Sequence, residues 1–369
     1  MAHWSIGIDD GFAMSRPTGI GRHSAALLQA LERCAPSVVV HHVEHPDLAR
    51  IRPRVLRRIM YLGWLASGIP GRSQRRTFDL VHYTNYHVAP RKPRGLRYAA
   101  TIHDLVPFHA RGTKSRAYGA YLRRSIRQAL RVADVVFATS HSVREEITAA
   151  FGVHGDTIRV VYVPPGITSM PATDARAYVR RAWPAIGDAP FVLFVGALER
   201  RKNLVGLVDA VARLSPTHVD VQLVLAGRPG IGFDAIADAI GRTHALVSRV
   251  HVLMGCSDDD LRALYSSCTV FAFPSLYEGY GIPLLEAMTC GAPIVASDIP
   301  SSTELTAGAA VVVQPAPEAL ADGMTRVLES SALREGLATA GRLRAAQFTS
   351  EQTARQLLEG YRTVLGATG

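Results

Sequence analysis

Short apolar runs alternate with amphipathic stretches along most of this chain. In the first half the runs fall at residues 5–8, 38–40, 80–83, 99–102 and 135–138, each strand-sized and bounded by polar or turn-forming residues. Between them, residues 21–33 and 118–132 space their apolar positions three and four apart, the pattern of a helix with one buried face. A break follows the run at 160–163, where Pro164-Pro165-Gly166 and then Met170-Pro171-Ala172-Thr173-Asp174 are loop formers. The alternation restarts with runs at 191–195, 221–225, 250–253, 270–273, 294–296 and 310–313. Alternation of this kind predicts mostly parallel sheets covered by helices, here in two α/β domains joined near residues 164–188. Ligands of such sheets bind beyond the carboxyl ends of the strands, and a cleft between two domains is the default place to look for one.

One stretch carries more chemistry than the rest. After the apolar run 270–273, residues 274–288 hold two carboxylates, Glu278 and Glu286, eight positions apart, with Gly279, Gly281 and Pro283 between them. The pattern reads as strand, tight loop and helix start, because the glycines permit backbone angles that other residues resist and Pro283 suits a first helical turn. Glu286 is then expected in that first turn and Glu278 in the loop. Loop amides at a helix N-terminus attract phosphate, and carboxylates beside them accept hydrogen bonds from sugar hydroxyls. Such an element is suited to grip a phosphorylated sugar at both ends.

At 369 residues, 48% hydrophobic and 20% charged, the chain has the composition of an ordinary soluble protein with room for two cores. No run of 18 uncharged apolar residues suggests a spanning helix, and the first residues do not read as a signal peptide. Cys34, Cys256, Cys268 and Cys290 are scattered without a C-x-x-C pair, so the expectation is reduced thiols in a cytoplasmic protein and no structural zinc. The net charge of +10 is concentrated: between Leu48 and Arg131 there are 19 Lys or Arg against two acids, Asp79 and Asp104. Arg50, Arg52, Arg54, Arg57 and Arg58 open this zone and Arg123, Arg124, Arg127 and Arg131 close it. Apolar residues interleave with arginines over 55–65, which suits a helix lying on an anionic membrane surface. No nucleic-acid-binding motif accompanies the charge, so nucleic acid is not an expected partner.

Five pieces in order give a family resemblance: Gly19-Ile20-Gly21-Arg22, Thr101-Ile102-His103-Asp104-Leu105, the segment 195–203 with Gly196 and Arg200-Arg201-Lys202-Asn203, the Glu278/Glu286 pair, and the segment 290–297. Together they resemble the family 4 retaining glycosyltransferases, whose GT-B fold sets two Rossmann-like domains facing each other across a cleft. The resemblance implies an acceptor-side domain over 1–168 and a donor-binding domain over 169–369, with the last helix, about 350–366, packing back on the first domain. It implies that Glu278 lies against the donor sugar, that Glu286 binds the nucleotide ribose, and that the amides of Gly279, Tyr280 and Gly281 face the sugar or distal phosphate. Arg201 and Lys202 take the donor diphosphate, beside Gly196. Many members carry an Arg directly after that glycine, where this chain has Ala197, so Arg201 is expected to bear more of the load and Arg200 some of it. His103 borders donor sugar and acceptor, and Gly19 and Gly21 bring backbone amides to the diphosphate from the first domain. Fixed cations there stabilise a leaving diphosphate more in the transition state than in the ground state. The family is usually assigned front-face attack; double displacement through a covalent intermediate is the alternative route.

Rival readings remain open on the sequence. A metal-dependent sugar transferase needs an Asp-x-Asp, for which Asp9-Asp10 and Asp258-Asp259-Asp260 are the candidates. The second follows Ser257 and reads as a capped helix start, so no metal and no cofactor beyond the sugar donor are expected. A nucleotide-sugar epimerase, a phosphorylase, or a non-catalytic membrane- or nucleic-acid-binding protein are the other classes. Stretches of the His-Asp-Leu-Val-Pro and Leu-Glu-Arg-Arg-Lys-Asn type are similar to bacterial mannosyltransferases of surface-polysaccharide assembly. The donor expected from that similarity is GDP-mannose, with dTDP-rhamnose or a UDP-hexose next. The acceptor is a lipid-linked saccharide, met by a peripheral enzyme at the cytoplasmic face of the membrane.

Overall fold

A computed structural model describes residues 4–9, 19–43, 56, 59–60, 63, 78–109, 116–153, 157–214, 218–243 and 246–366. Asp10, Arg50, Arg52, Arg54, Arg57 and Arg58 lie outside the described residues, as does most of the interleaved stretch 55–65. The chain forms two compact units, Met1–Pro164 with Phe348–Gly369, and Pro165–Gln347. The first crossing falls four residues before the boundary expected at 168, between the two prolines Pro164 and Pro165. The second returns the chain to unit 1 at Phe348, so residues 348–369 belong with the N-terminal part and not with a domain running from 169 to the end.

In unit 1, strands β1 (Trp4–Asp9), β2 (Val38–His42), β3 (Leu80–Tyr83), β4 (Arg97–Ile102), β5 (Val135–Ala138) and β6 (Ile158–Val160) pair in parallel in the order β2-β1-β3-β4-β5-β6. The strands β3 and β5 are buried along their whole length, as continuous apolar runs in a parallel sheet covered on both faces must be. The apolar run at 160–163 places β6 slightly late. Its ladder ends with the Val161 amide on Ala138, and the Tyr162 backbone turns to Gln356 and Thr353 of the helix Ser350–Leu365. That closing helix packs beside the helix Gly19–Cys34 and against β5. Gly360 lets it approach, since a Cβ there would stand 2.5 Å from Phe137 Cζ. Beside it Tyr361 Oη shares a 2.7 Å hydrogen bond with His82 Nδ1, and His82 Nε2 shares one of 2.8 Å with Thr101 Oγ1.

In unit 2, β7 (Phe191–Val195), β8 (Gln222–Ala226), β9 (Val250–Leu253), β10 (Val270–Phe273), β11 (Ile294–Ser297) and β12 (Val311–Val313) are again all parallel, in the order β12-β11-β10-β7-β8-β9. The first strand of the unit therefore sits beside the fourth. Connections leave β7 and β10 toward opposite edges, which opens a crevice at their carboxyl ends where ligands of doubly wound sheets bind. Leu204, Leu207, Val208 and Val211 of the helix Leu204–Leu214 fill the core beside β7 and β8, spaced three and four apart.

Candidate active site

The two loops at that switch point carry most of the singled-out residues. After β7 the chain passes Gly196, whose φ of +148° disfavours a side chain and where a Cβ would meet Phe194 Cζ at 3.2 Å and Lys202 Cε at 3.8 Å. Buried Leu198 anchors the loop, and a single 3₁₀ turn, Arg200–Lys202, ends on Asn203 in the left-handed region at φ 55°. Asn203 tolerates that conformation and fixes it by donating its Nδ2 to the Pro315 carbonyl at 2.9 Å. The turn carries Lys202 inward, so that only 8% of its side chain is exposed and Nζ stands 5.4 Å from the centre of the Phe273 ring.

The loop after β10 closes on this turn. The Leu276 amide donates to the Arg201 carbonyl at 2.9 Å. Arg201 Nη1 donates to the Tyr277 carbonyl at 2.5 Å and lies 2.7 Å from Glu278 Oε2, while Nη2 reaches Glu199 Oε1 at 2.8 Å. Lys202 Nζ pairs with the other Glu278 oxygen, Oε1. Burial alone would push the Glu278 carboxyl up, but Lys202 first and then Arg201 overcome it by charge and hydrogen bonding and bring it down to about 2. Glu278 is thus a fixed anion held by two fixed cations.

Gly281, at φ 116°, starts the helix Ile282–Cys290, with Pro283 in its opening turn. Glu286 is the fifth residue of that helix and lies one turn in, not in the first turn as the spacing suggested, so compensation of the helix dipole does not account for it. It is 2% exposed and accepts a 3.1 Å hydrogen bond from Tyr265 Oη. Gly279 and Tyr280 of the preceding loop are buried. The acids Asp258, Asp259 and Asp260 cap the helix Asp258–Ser267: Ser257 and Asp260 form a reciprocal capping box, Tyr178 Oη donates to Asp260, and Arg262 pairs with Asp259. Among the described residues no cluster of His, Cys, Asp and Glu has the makings of a metal site.

In unit 1, Gly19 and Gly21 form the first turn of the helix Gly19–Cys34, and the residues between them and β1 lie outside the described set. His103 follows β4 directly and is 7% exposed. Its Nε2 donates to the Thr84 carbonyl at 2.7 Å, which fixes the tautomer and leaves Nδ1 as an acceptor. Burial lowers the His103 pKa against the opposing pull of the Thr84 bond and Asp104, so the imidazole is neutral. The His23 ring meets it edge-on, with centroids 4.7 Å apart.

Comparisons with known proteins give the chain its family. The family profile described as "Glycosyltransferase Family 4" matches residues 17–167, and that described as "Glycosyl transferases group 1" matches residues 176–344. The chain belongs to the family 4 glycosyltransferases. O-antigen chain mannosyltransferase B of Escherichia coli is 27% identical over 285 residues, 77% of this chain and 74% of that enzyme. The alpha-D-kanosaminyltransferase of Streptomyces kanamyceticus is 30% identical over 64% of this chain and 62% of its own length. The serotype-specific mannosyltransferase WbdA of Escherichia coli is 28% identical over 63% of this chain, which spans only 29% of that longer protein. Among solved structures, sucrose-phosphate synthase from Thermosynechococcus elongatus superposes with a TM-score of 0.78 at 23% identity, over 99% of this chain and all of that one. HepE of Anabaena, in complex with UDP and glucose, gives 0.76 at 20% over 98% of this chain and 100% of that one. The fold is GT-B.

In this glycosyltransferase the structure brings Arg201, Lys202 and Glu278 into one cluster beside Gly196, Gly279, Tyr280 and Gly281, with Glu286 one helical turn further on. Two neighbours escaped the sequence reading. Glu199 holds the far side of Arg201; its acid within the Glu-Arg-Arg-Lys run was the available signal. Tyr265 holds Glu286 across 21 residues, and no local pattern announces that pairing.

Proposed function

We propose that this enzyme transfers mannose from GDP-mannose, with retention of configuration and without a metal ion, to a lipid-linked saccharide in the assembly of a cell-surface polysaccharide. The observation that carries the reading is the Arg201–Lys202–Glu278 cluster at the β7/β10 switch point. Breaking a glycosyl–phosphate bond leaves charge on the diphosphate, and cations already fixed there need no reorganisation when that charge develops. Glu278, ionised, accepts hydrogen bonds from donor-sugar hydroxyls; Glu286, oriented by Tyr265, accepts from the ribose; the amides of Gly279, Tyr280 and Gly281 face the sugar or distal phosphate. His103, neutral and with Nδ1 free to accept, suits a polar contact with the sugar or acceptor and not nucleophilic attack.

Mannose as the sugar is supported by the relatives named as mannosyltransferases. Docking at the cytoplasmic face of the membrane is supported by the exposed arginines Arg124, Arg127 and Arg131, spaced three and four apart on the helix Arg116–Val132, whose Leu122, Ile126 and Ala129 are buried. Each such cation contributes about 1 kcal/mol near an anionic leaflet. Among the described residues no helix is long and apolar enough to cross a membrane. Calorimetry with GDP-mannose, dTDP-rhamnose and UDP-hexoses, followed by transfer of labelled sugar into a lipid extract, tests the reading. Tight binding of GDP-mannose and label in lipid with the α-linkage retained are expected; label left in an isomerised donor points to an epimerase, and activity that needs manganese rejects the metal-free reaction.

A further inference from the structure

Charge counting in the β7/β10 cluster leaves little for a phosphate. Arg201 and Lys202 supply two positive charges, Glu199 and Glu278 two negative ones, and all are joined by ion pairs. With Glu278 kept ionised far below neutral pH, the group is electrically balanced, and an arriving diphosphate meets cations that already have partners. A dianionic group bound there needs a cation that is not matched.

The loop after β8 offers one. It runs alongside the β7 loop and is stitched to it: the Gly196 amide donates to Ala226 at 3.0 Å, the Leu198 amide to the Arg228 carbonyl at 2.9 Å, and the Gly230 amide to Leu198 at 2.9 Å. The contact is so close that a Cβ on Gly227 would lie 1.8 Å from the Gly196 carbonyl oxygen. Arg228 is exposed at this carboxyl-end edge, and among the described residues its side chain has no acid or hydrogen-bond partner. Residues 226–232 contain no acid; Asp234 is the first. The exposed Arg200 is the other unmatched cation nearby, but its side chain lies along Gly232, whose missing Cβ would be 3.7 Å from Arg200 Nε.

We propose that Arg228 is a phosphate-binding residue of this enzyme, supplying the unmatched positive charge that recognises the diphosphate of the nucleotide-sugar donor beside the Arg201–Lys202–Glu278 cluster. The proposal rests on the donor-site reading given above. It assigns the β8 loop to the substrate site, with the β7 loop as its rigid support.

Calorimetry of the full chain with GDP, UDP and dTDP at low and high salt tests it, using Arg228→Ala, Arg228→Lys, Arg200→Ala and Lys202→Ala. Arg228→Ala is expected to weaken the tightest of the three by about tenfold and to flatten the salt dependence, with Arg228→Lys recovering much of both. The matching nucleoside monophosphate is expected to lose less. Arg228→Ala within about twofold of wild type, with unchanged salt dependence while Lys202→Ala is weakened, overturns the proposal and leaves the donor site standing. Loss confined to Arg200→Ala also overturns it. Failure of the wild type to bind any of the three rejects the donor-site reading itself.

Discussion

At Glu278 burial and charge pull in opposite directions, and charge prevails because Lys202 and Arg201 take one carboxylate oxygen each. Lys202→Met leaves a buried carboxylate with one cation. We expect turnover to fall by roughly 10²–10³ through loss of a fixed transition-state charge, and the acid limb of activity to move to higher pH as Glu278 begins to protonate. In the wild type the carboxyl titrates lower in the folded than in the unfolded state. Its contribution to stability is therefore complete above about pH 4.5 and lost as pH falls through about 2. At Glu286 the partner is Tyr265, so Tyr265→Phe should weaken donor binding by about 1 kcal/mol in calorimetry. Glu286→Ala should cost more, and unchanged affinity in that variant removes its role at the ribose.

The close approaches of whole elements hang on single glycines. Gly360 lies over Phe137, and Gly360→Ala puts a methyl group 2.5 Å from the ring; a loss of about 1–3 kcal/mol in urea unfolding is expected, with the nucleotide affinity of unit 2 unchanged. Gly227→Ala strikes backbone instead, so the loop carrying Gly196 must shift, and donor affinity should fall even where the melting temperature holds. The strands were legible because buried parallel strands are short apolar runs, and those runs stand clear of the helices by their period. Glu278, Arg201 and Lys202 were legible because one loop pair brings them together and the motifs mark both loops. The position of Glu286 within its helix was not, because the helix opens at Ile282, directly after Gly281, and spacing does not encode so early a start. Nor was the Tyr265 contact, since it depends on how two segments meet across space, whereas Glu199 lies two residues from Arg201 and its charge was there to be read.

On the scale of the molecule, three of the histidines buried in unit 1, His23, His82 and His103, share one behaviour. Burial first, and for His23 and His82 also the neighbouring histidine charges, lower all three, His82 to about 3. The native state thus binds fewer protons than the unfolded chain, whose histidines titrate near 6.5. Stability is retained above that pH and lost as pH falls from about 6.5 toward 3, by up to about 1.4 kcal/mol per pH unit for each histidine. Urea unfolding between pH 7 and pH 5 should show this slope, and His82→Gln should reduce it. The exposed stripe on the helix Arg116–Val132 makes a separate prediction: Arg124→Glu with Arg131→Glu should loosen binding to anionic vesicles at low salt without reducing donor affinity.

The path of the chain sets an order on its synthesis. The helix that covers Phe137 and His82 is drawn from residues 348–369, while the sheet it covers is complete by Pro164. Translation of residues 165–347 takes roughly 10–40 s at about 5–20 residues per second, during which unit 2 is made and unit 1 waits without its last helix. A nascent chain arrested near residue 347 should therefore expose an apolar sheet face to protease and chaperone, and release of the full chain should bury it.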